Sequence, residues 1–477
     1  MKKIFLISIL SIFTFGCEDL VSDLNQNPNN PTIAPYQFSL TAAEVANIIL
    51  QTGAPARQSG IMSGQFTGID RQHLAYSNYL VNANSFNSTW NLAFRDVFRN
   101  ILVTQDSAKE IGIEGVTLGI TQVLEAMVIG TATSLFGDIP YDEAGRLEIE
   151  NPVFEEQMTI YNKIQTVLDE AILNLDTSKN RPPANSEIYF DGNPIAWKQV
   201  AFTLKARYYM HVKDYPSAYN AAQNGIGSDG STDSNDLKSP HGSAVDNANL
   251  YYQFFALASR KNDLIVSDFF TSLIDPSASS NPIYNNYRGH SKTDETARYN
   301  YLLQKTVVGI QPNFNEGGFA QIDASATMVS YAENLLILAE AGARNSFNSG
   351  IQNLNLFRSY MSSGGYLNNP NLSELKYDPF DPLDFENSGI ENPDGISSIG
   401  ALLREILEER YISLFGQIEV FNDVRRTRGN NISRVPVSPN TGSELPQRFL
   451  IGSDEVFANK NAPNPIPGFF EPTQVNK

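Results

Sequence analysis

Cysteine occurs once in 477 residues, at Cys17. No intramolecular disulfide can form, so the fold rests on burial and hydrogen bonds. Basic charge is scarce as well: 34 Lys and Arg stand against 52 Asp and Glu, a formal net charge of −18. Such a chain repels phosphate backbones, and no nucleic-acid partner is expected. The only histidines are His73, His211, His241 and His290. No two of them have metal-ligand spacing, and no metal or cofactor is expected. Phosphate-loop, G-x-S-x-G and H-E-x-x-H patterns are missing, so positive support for an enzyme is lacking. Tryptophan occurs twice, whereas tyrosine (21) and phenylalanine (28) abound. With many Asn, Ser and Gly residues they give a polar, weakly charged surface that suits neutral ligands. At 41% hydrophobic and 18% charged residues, this is the composition of a folded protein. A chain of this length can bury roughly 75% of its unfolded surface.

Long apolar runs are also few. One stands at the start, where "MKK", "IFLISILSIFTF" and "GC" follow in order. A positive start, an apolar centre and a small residue before the cut are the plan of a secretory leader. The run is too short for a bilayer span of ~20 residues. Among later segments "ENLLILAEAGA" (Glu333–Ala343) comes nearest to a span, and its acids make it a buried helix. Cys17, directly after Gly16, resembles the lipidation position of a bacterial lipobox. The alternative is an ordinary leader that contains a cysteine. On the lipobox reading, residues 1–16 are a signal peptide and Cys17 carries the lipid. Acyl chains contribute about 0.8 kcal/mol per buried CH₂, so several on one cysteine hold a protein durably on a membrane. Residues 17–38, rich in Asn and Pro, then form a tether, and residues 39–477 form a single ligand-binding domain.

Beyond Phe38 apolar residues recur at three and four, which predicts a mainly α fold. Helices are expected over Thr41–Gln51, Ser88–Ile111, Val116–Phe136, Glu155–Leu175, Ile195–Val212 and Ser217–Gly225. Further ones are expected over Lys261–Ile274, Ala324–Arg344, Gly350–Ser362 and Ser397–Arg428. Strand signals are few and short, the best being Leu302–Ile310. The stretch "WKQVAFTLKARYYMHVKDYPSAYNAAQNGI" reads as helix, turn and helix, with Pro216 opening the second helix and Ala218, Ala221 and Ala222 permitting close approach. This is the shape of a tetratricopeptide hairpin, although no strict 34-residue repeat is present. Such pairs build a superhelical scaffold with long irregular loops, and the proline-rich stretch after Val435 is expected to wrap it.

Two motifs dissolve on inspection. "GIGSDG" (Gly225–Gly230) follows a helix instead of a strand, so it reads as a helix end and not a dinucleotide loop. "DGSTDSND" (Asp229–Asp236) alternates oxygens like a calcium loop, but Ser234 stands where glycine belongs and Pro240 where the bidentate Glu belongs. More informative is "RQHLAYSNYLVNANSFNSTW" (Arg71–Trp90). Aromatic faces stack on the C–H faces of sugars, and amides offer donors and acceptors to hydroxyls. Trp90, with Phe94 and Phe98 at helical spacing, reads as a core stripe. The ligand-binding candidates are Tyr76, Asn78, Tyr79, Asn82 and Phe86, with Tyr284, Tyr287 and Arg288 from a second polar loop.

Several segments together resemble the SusD/RagB outer-membrane lipoproteins, in the SusD-like branch. "LFGDIPYDEA" (Leu135–Ala144) resembles that family's Trp- or Phe-Gly-Asp-Ile-Pro-Tyr segment. "WNLAFRDVFRNI", "WKQVAFTLKARYYMHV", "MVSYAENLLILAEA" and "ILEERYISLFGQIEVFNDVRR" resemble its successive helices. "LPQRFLIGSDEVFANKNAP" resembles its terminal pattern through Arg448, Glu455 and Asn459, with Ile451 and Gly452 in place of Tyr and Pro. The likeness spans nearly the whole mature chain. It implies four tetratricopeptide-like helix pairs and a position on the outer face of the outer membrane in Bacteroidota. It implies further that the protein caps a SusC-type TonB-dependent transporter like a lid and delivers an oligosaccharide, or sometimes a peptide, without covalent chemistry. Glu18 and Asp19 resemble the acidic export signals of such surface lipoproteins. The matched motifs carry over no ligand contacts. A peptide receptor of the same type, or a helical adaptor without a small ligand, remain as alternatives.

Overall fold

A computed structural model of the chain describes residues 35–257, 259–277, 286–368, 375–430 and 433–477. Cys17, Glu18, Asp19 and Tyr284 lie outside the described residues. Consecutive helices pair and stack. Helix α1 (Tyr36–Thr52) packs on α2, which runs over 87–110, and α3 (Val116–Phe136) packs on α4 (Gln157–Asp176). The next pairs are α5 (Pro194–His211) with α6 (Tyr215–Ala222) and α7 (Tyr331–Asn345) with α8 (Phe347–Ser362). Helices α9 (Ser398–Ser413) and α10 (Glu419–Thr427) close the series. The mainly α, tetratricopeptide-like scaffold is thus the observed one.

Local chemistry starts these helices. Asn193 accepts from Ile195 N at 3.0 Å ahead of α5, and Asp214 accepts from Ser217 N at 3.2 Å ahead of α6. Ser330, Ser346 and Ser397 cap α7, α8 and α9 in the same way. Each cap satisfies a backbone donor that has no partner within its helix. Close approach depends on small residues. At Gly130 an added Cβ would lie 2.2 Å from the Tyr208 ring, so α3 and α5 meet there only because the residue is glycine.

Helix α3 is long and apolar enough to cross a membrane, yet 89% of its most apolar stretch is buried inside the fold. It outranks Glu333–Ala343, the segment that the sequence suggested as nearest to a span. Around it lies the largest apolar cluster, which includes Trp90, Trp197 and Phe136. Trp90 is buried among Phe94, Phe136 and Phe154, as its helical spacing indicated. The C-terminal stretch does wrap the body. Phe449 N donates to Leu135 O, and the Arg448 guanidinium donates to Phe136 O, Glu471 O and Pro472 O, closing the carbonyl end of α3.

Several boundaries differ from expectation. The first helix starts at Tyr36, inside the stretch read as tether, because Tyr36 is itself buried. Lys261–Ile274 is not one helix: Leu264–Val266 pairs antiparallel with Phe66–Gly68, and Ser267 then caps a helix over Asp268–Ile274. Similarly, Ala326–Val329 is a strand, and helix α7 waits for the Ser330 cap. Ser397–Arg428 breaks near Gly416, whose φ of 72° lies in the left-handed region and whose carbonyl accepts from Tyr251 OH at 2.7 Å. Leu302–Ile310 becomes a hairpin, Leu303–Thr306 against Gly309–Pro312.

Candidate functional site

A cavity of about 620 Å³ opens where α9 meets the loop after residue 285 and the strap 434–436. Its wall combines Phe269, Tyr287, Ile390 and Ile396 with Arg404, Arg434, Glu405, Glu408, His290 and Glu391. Loop and helix are locked together by charge. Arg288 reaches Glu405 at 2.7 Å, Glu409 at 2.8 Å, Glu295 at 3.2 Å and Glu408 at 3.3 Å. One layer deeper, Arg298 pairs with Glu409 at 3.1 Å and Glu295 at 3.0 Å, and both partners are fully buried. At the rim Arg404 holds Asp394 in a two-pronged contact (2.8 and 3.0 Å), and His290 meets Glu391 at 2.6 Å.

The carboxyls of α9 differ in character. Burial, then the fields of Glu391, Glu409 and Glu408, push Glu405 up to about 8 against the pull of Arg288. Burial raises Glu408 too. Burial would also raise Glu409, but Arg288 and Arg298 beside it hold that carboxyl down at about 2. The cavity therefore offers fixed donors, fixed acceptors and a carboxyl that takes up a proton near neutrality. Hydrogen bonds to charged groups are the stronger kind, and such a wall suits a ligand dense in hydroxyls.

A second cavity of about 300 Å³ adjoins the first. The two share Phe269, and their outer walls are neighbouring parts of one strap: Arg434 and Pro436 in the first, Val437 to Asn440 in the second. Thr67 and Ile265, from the paired strands, form the opposite wall. Tyr79 supports the strap from behind, its hydroxyl accepting from Asn440 N at 3.0 Å and its ring lying edge-on to Phe469 and Phe470. Its φ of 55° is uncommon for an aromatic residue.

The eight candidates from the sequence thus separate. Tyr287 lines the large cavity, its ring lying where a Cβ at position 289 would stand, so Gly289 is what admits it. Tyr79 is half-buried beneath the strap, and Asn78 and Asn82 are exposed. Phe86 is fully buried against Phe449, Phe469 and Tyr76, which makes it a core residue and not a ligand contact. Tyr76 is buried beside it, with its hydroxyl on Ser85 O. Arg288 borders the cavity, but its guanidinium is taken by four carboxylates, so its part is to fix α9 and not to meet ligand freely. Tyr284 lies outside the described residues.

Sequence reasoning missed Phe269, Arg434, Glu405 and Glu408. One signal was available: Glu405, Glu408 and Glu409 at i, i+3 and i+4 share a face of a helix rich in apolar residues. Elsewhere, "GIGSDG" ends a helix as read, with Asn334 Nδ2 donating to Ala222 O and Ile226 O. In the loop after it, Asp236 accepts from Tyr331 N and pairs with Lys238.

The SusD-like family, described as starch-binding and associating with the outer membrane, matches residues 28–450. Solved structures agree in fold. A SusD/RagB family protein from Bacteroides thetaiotaomicron superposes with a TM-score of 0.66 at 19% identity, over 93% of this chain and 99% of that one. A chitin-binding SusD homologue from Flavobacterium johnsoniae gives 0.64 at 15% identity, over 92% and 98%. A Bacteroidetes SusD-like protein gives 0.69 at 15% identity, over 93% and 100%. No curated protein matches the chain.

Proposed function

The chain belongs to the SusD-like family of proteins that associate with the outer membrane, and on that premise we propose that it captures an oligosaccharide in the groove formed by the two cavities around Phe269. The observation that carries this reading is the groove wall itself. Tyr287 and Phe269 supply apolar faces beside Arg404, Arg434, Glu405 and Glu408, all in one concave surface. A few oriented polar groups on a partly apolar wall is the usual make-up of a small-ligand site. The chitin-binding description of two structural relatives supports a glycan as ligand. The protein then acts by binding alone, as a lid that passes the ligand to a SusC-type TonB-dependent transporter.

Calorimetry with malto- and chito-oligosaccharides, and with peptides, tests this directly. Binding of a glycan is expected, and Phe269→Ala combined with Tyr287→Ala is expected to weaken it at least tenfold, about 1.4 kcal/mol. Unchanged affinity in that double variant removes the groove. Binding of peptides alone moves the function to the peptide-receptor alternative. The anchor is a separate part of the proposal: Cys17 takes the lipid, and Glu18 with Asp19 sends the protein to the cell surface. Cys17→Ala should abolish lipid labelling. Glu18→Ala with Asp19→Ala should leave a lipidated protein shielded from external protease.

A further inference from the structure

Most charged groups on the wall of the large cavity are already paired with each other. Glu391 meets His290 Nε2 at 2.6 Å, Asp394 takes both prongs of Arg404, and Glu405 accepts from Arg288 Nη2 at 2.7 Å. Glu408 differs. It lines the same cavity from α9, one helical turn beyond Glu405, and its side chain is 20% exposed. Its close partner is Arg288 Nε at 3.3 Å, but that buried nitrogen makes no hydrogen bond, so the contact is an ion pair without hydrogen-bond alignment. Among the described residues, Glu408 is thus the carboxylate on this wall whose oxygens accept no hydrogen bond. Arg434 is its counterpart among the cations. It donates to Arg428 O at 3.3 Å, and among the described residues no carboxylate pairs with it.

An ionised carboxylate can only accept hydrogen bonds. Burial raises Glu408 against the pull of Arg288, as expected of a carboxylate short of donors. A ligand seated beside it must bring those donors. Hydroxyls do so without a charge of their own, and two on neighbouring carbons present two O–H groups to the two carboxylate oxygens at once. Hydrogen bonds to an ionised acceptor are roughly twice as strong as neutral ones. Phe269 and Tyr287 line the same cavity and suit the C–H face of the same sugar ring. Arg434, which can only donate, suits ring and linkage oxygens, which can only accept.

We propose that Glu408 accepts from two adjacent hydroxyls of one sugar unit, and that the groove therefore selects glycans with vicinal diols inside the chain. The inference rests on the glycan reading of the groove and narrows it. Cello- and malto-oligosaccharides keep the hydroxyls on carbons two and three of every internal unit. In laminari-oligosaccharides carbon three carries the linkage, and the ring hydroxyls left on an internal unit are not neighbours.

The test is calorimetry of the full chain with cellohexaose, maltohexaose and laminarihexaose. Cellohexaose or maltohexaose should bind at least tenfold more tightly than laminarihexaose. Glu408→Gln should cut that preference at least fivefold by weakening the diol glycan and not the other. The substitution keeps the side chain's size, and Arg288 retains Glu405, Glu409 and Glu295, so a melting curve close to that of the wild type is expected. A purely structural role would weaken both ligands alike or neither, and either result overturns the inference while the groove stands. Equal affinity of the wild type for all three glycans does the same, as does binding of chito-oligosaccharides alone. Binding of no glycan, these or chito-oligosaccharides, removes the groove reading and this inference together. Should Glu408→Gln fail to fold, the ligand is changed instead. The tighter hexaose deoxygenated at carbon two should lose tenfold in affinity for the wild type, and undiminished affinity overturns the inference.

Discussion

Helix α3 and helix α9 are both buried, but they are buried in different company. Around α3 the neighbours are apolar: Leu124, Ile129, Trp197 and Phe449 share one cluster. On one side α9 meets apolar residues as well, yet its buried Glu405 and Glu409 face Arg288, Arg298 and Arg358. The apolar interior tolerates imperfect geometry, because burial energy has no direction. The ionic interior does not, because each charge is stable only while its partners stay in place. The molecule puts the second kind beside the cavity proposed to hold the ligand. Its cost is a set of groups that few substitutions can spare.

The comparison breaks most visibly at Arg298. Arg298→Ala leaves the buried Glu295 and Glu409 to share Arg288 and should cost about 3–5 kcal/mol in denaturant unfolding. A loss below 1 kcal/mol would mean that water enters this region and that it is not an ionic core. Next, Leu124→Ala in the apolar interior should cost ~3 kcal/mol, the transfer and cavity terms of a buried leucine. The two sites should respond differently to pH. Glu405 is raised from an unfolded value near 4.5 to about 8, so the folded state holds this proton more tightly. Its stabilising contribution is complete below pH 4.5 and is lost as pH rises through 8. Hydrogen exchange along α9 should therefore quicken between pH 5 and 9 relative to α3, after correction for intrinsic rates. Glu405→Gln should flatten that difference, and an unchanged slope in the variant would assign it to another group. The smallest effect is a local one. Ser330→Ala removes the cap of α7 and should cost about 1 kcal/mol, read as a lower unfolding midpoint with an unchanged m-value.

Legibility followed the range of the interactions. The bounds of α3 were readable because its apolar run ends on Gly137, whose φ of 87° no other residue type takes easily. The turn between α5 and α6 was readable because Asp214 and Pro216 act within three residues of themselves. Strand Leu264–Val266 was missed since its partner, Phe66–Gly68, lies some two hundred residues away. Phe86 was misplaced for the same reason: among exposed amides it looked like a loop aromatic, but Phe449 and Phe469 cover it. Arg288, a ligand-binding candidate by sequence, borders the cavity, but its four carboxylates come from residues outside its own stretch of chain or from across a turn.

Alone, then, the sequence determined the helical class, the paired-helix scaffold and the caps, since each rests on periodicity or on contacts a few residues long, and its ordered motifs carried the family resemblance. Tertiary structure alone decided which aromatics face the groove and which arginines are spent on Glu405, Glu409 and Asp263. Those assignments depend on groups far apart in the chain, and only packing sets their distances and directions.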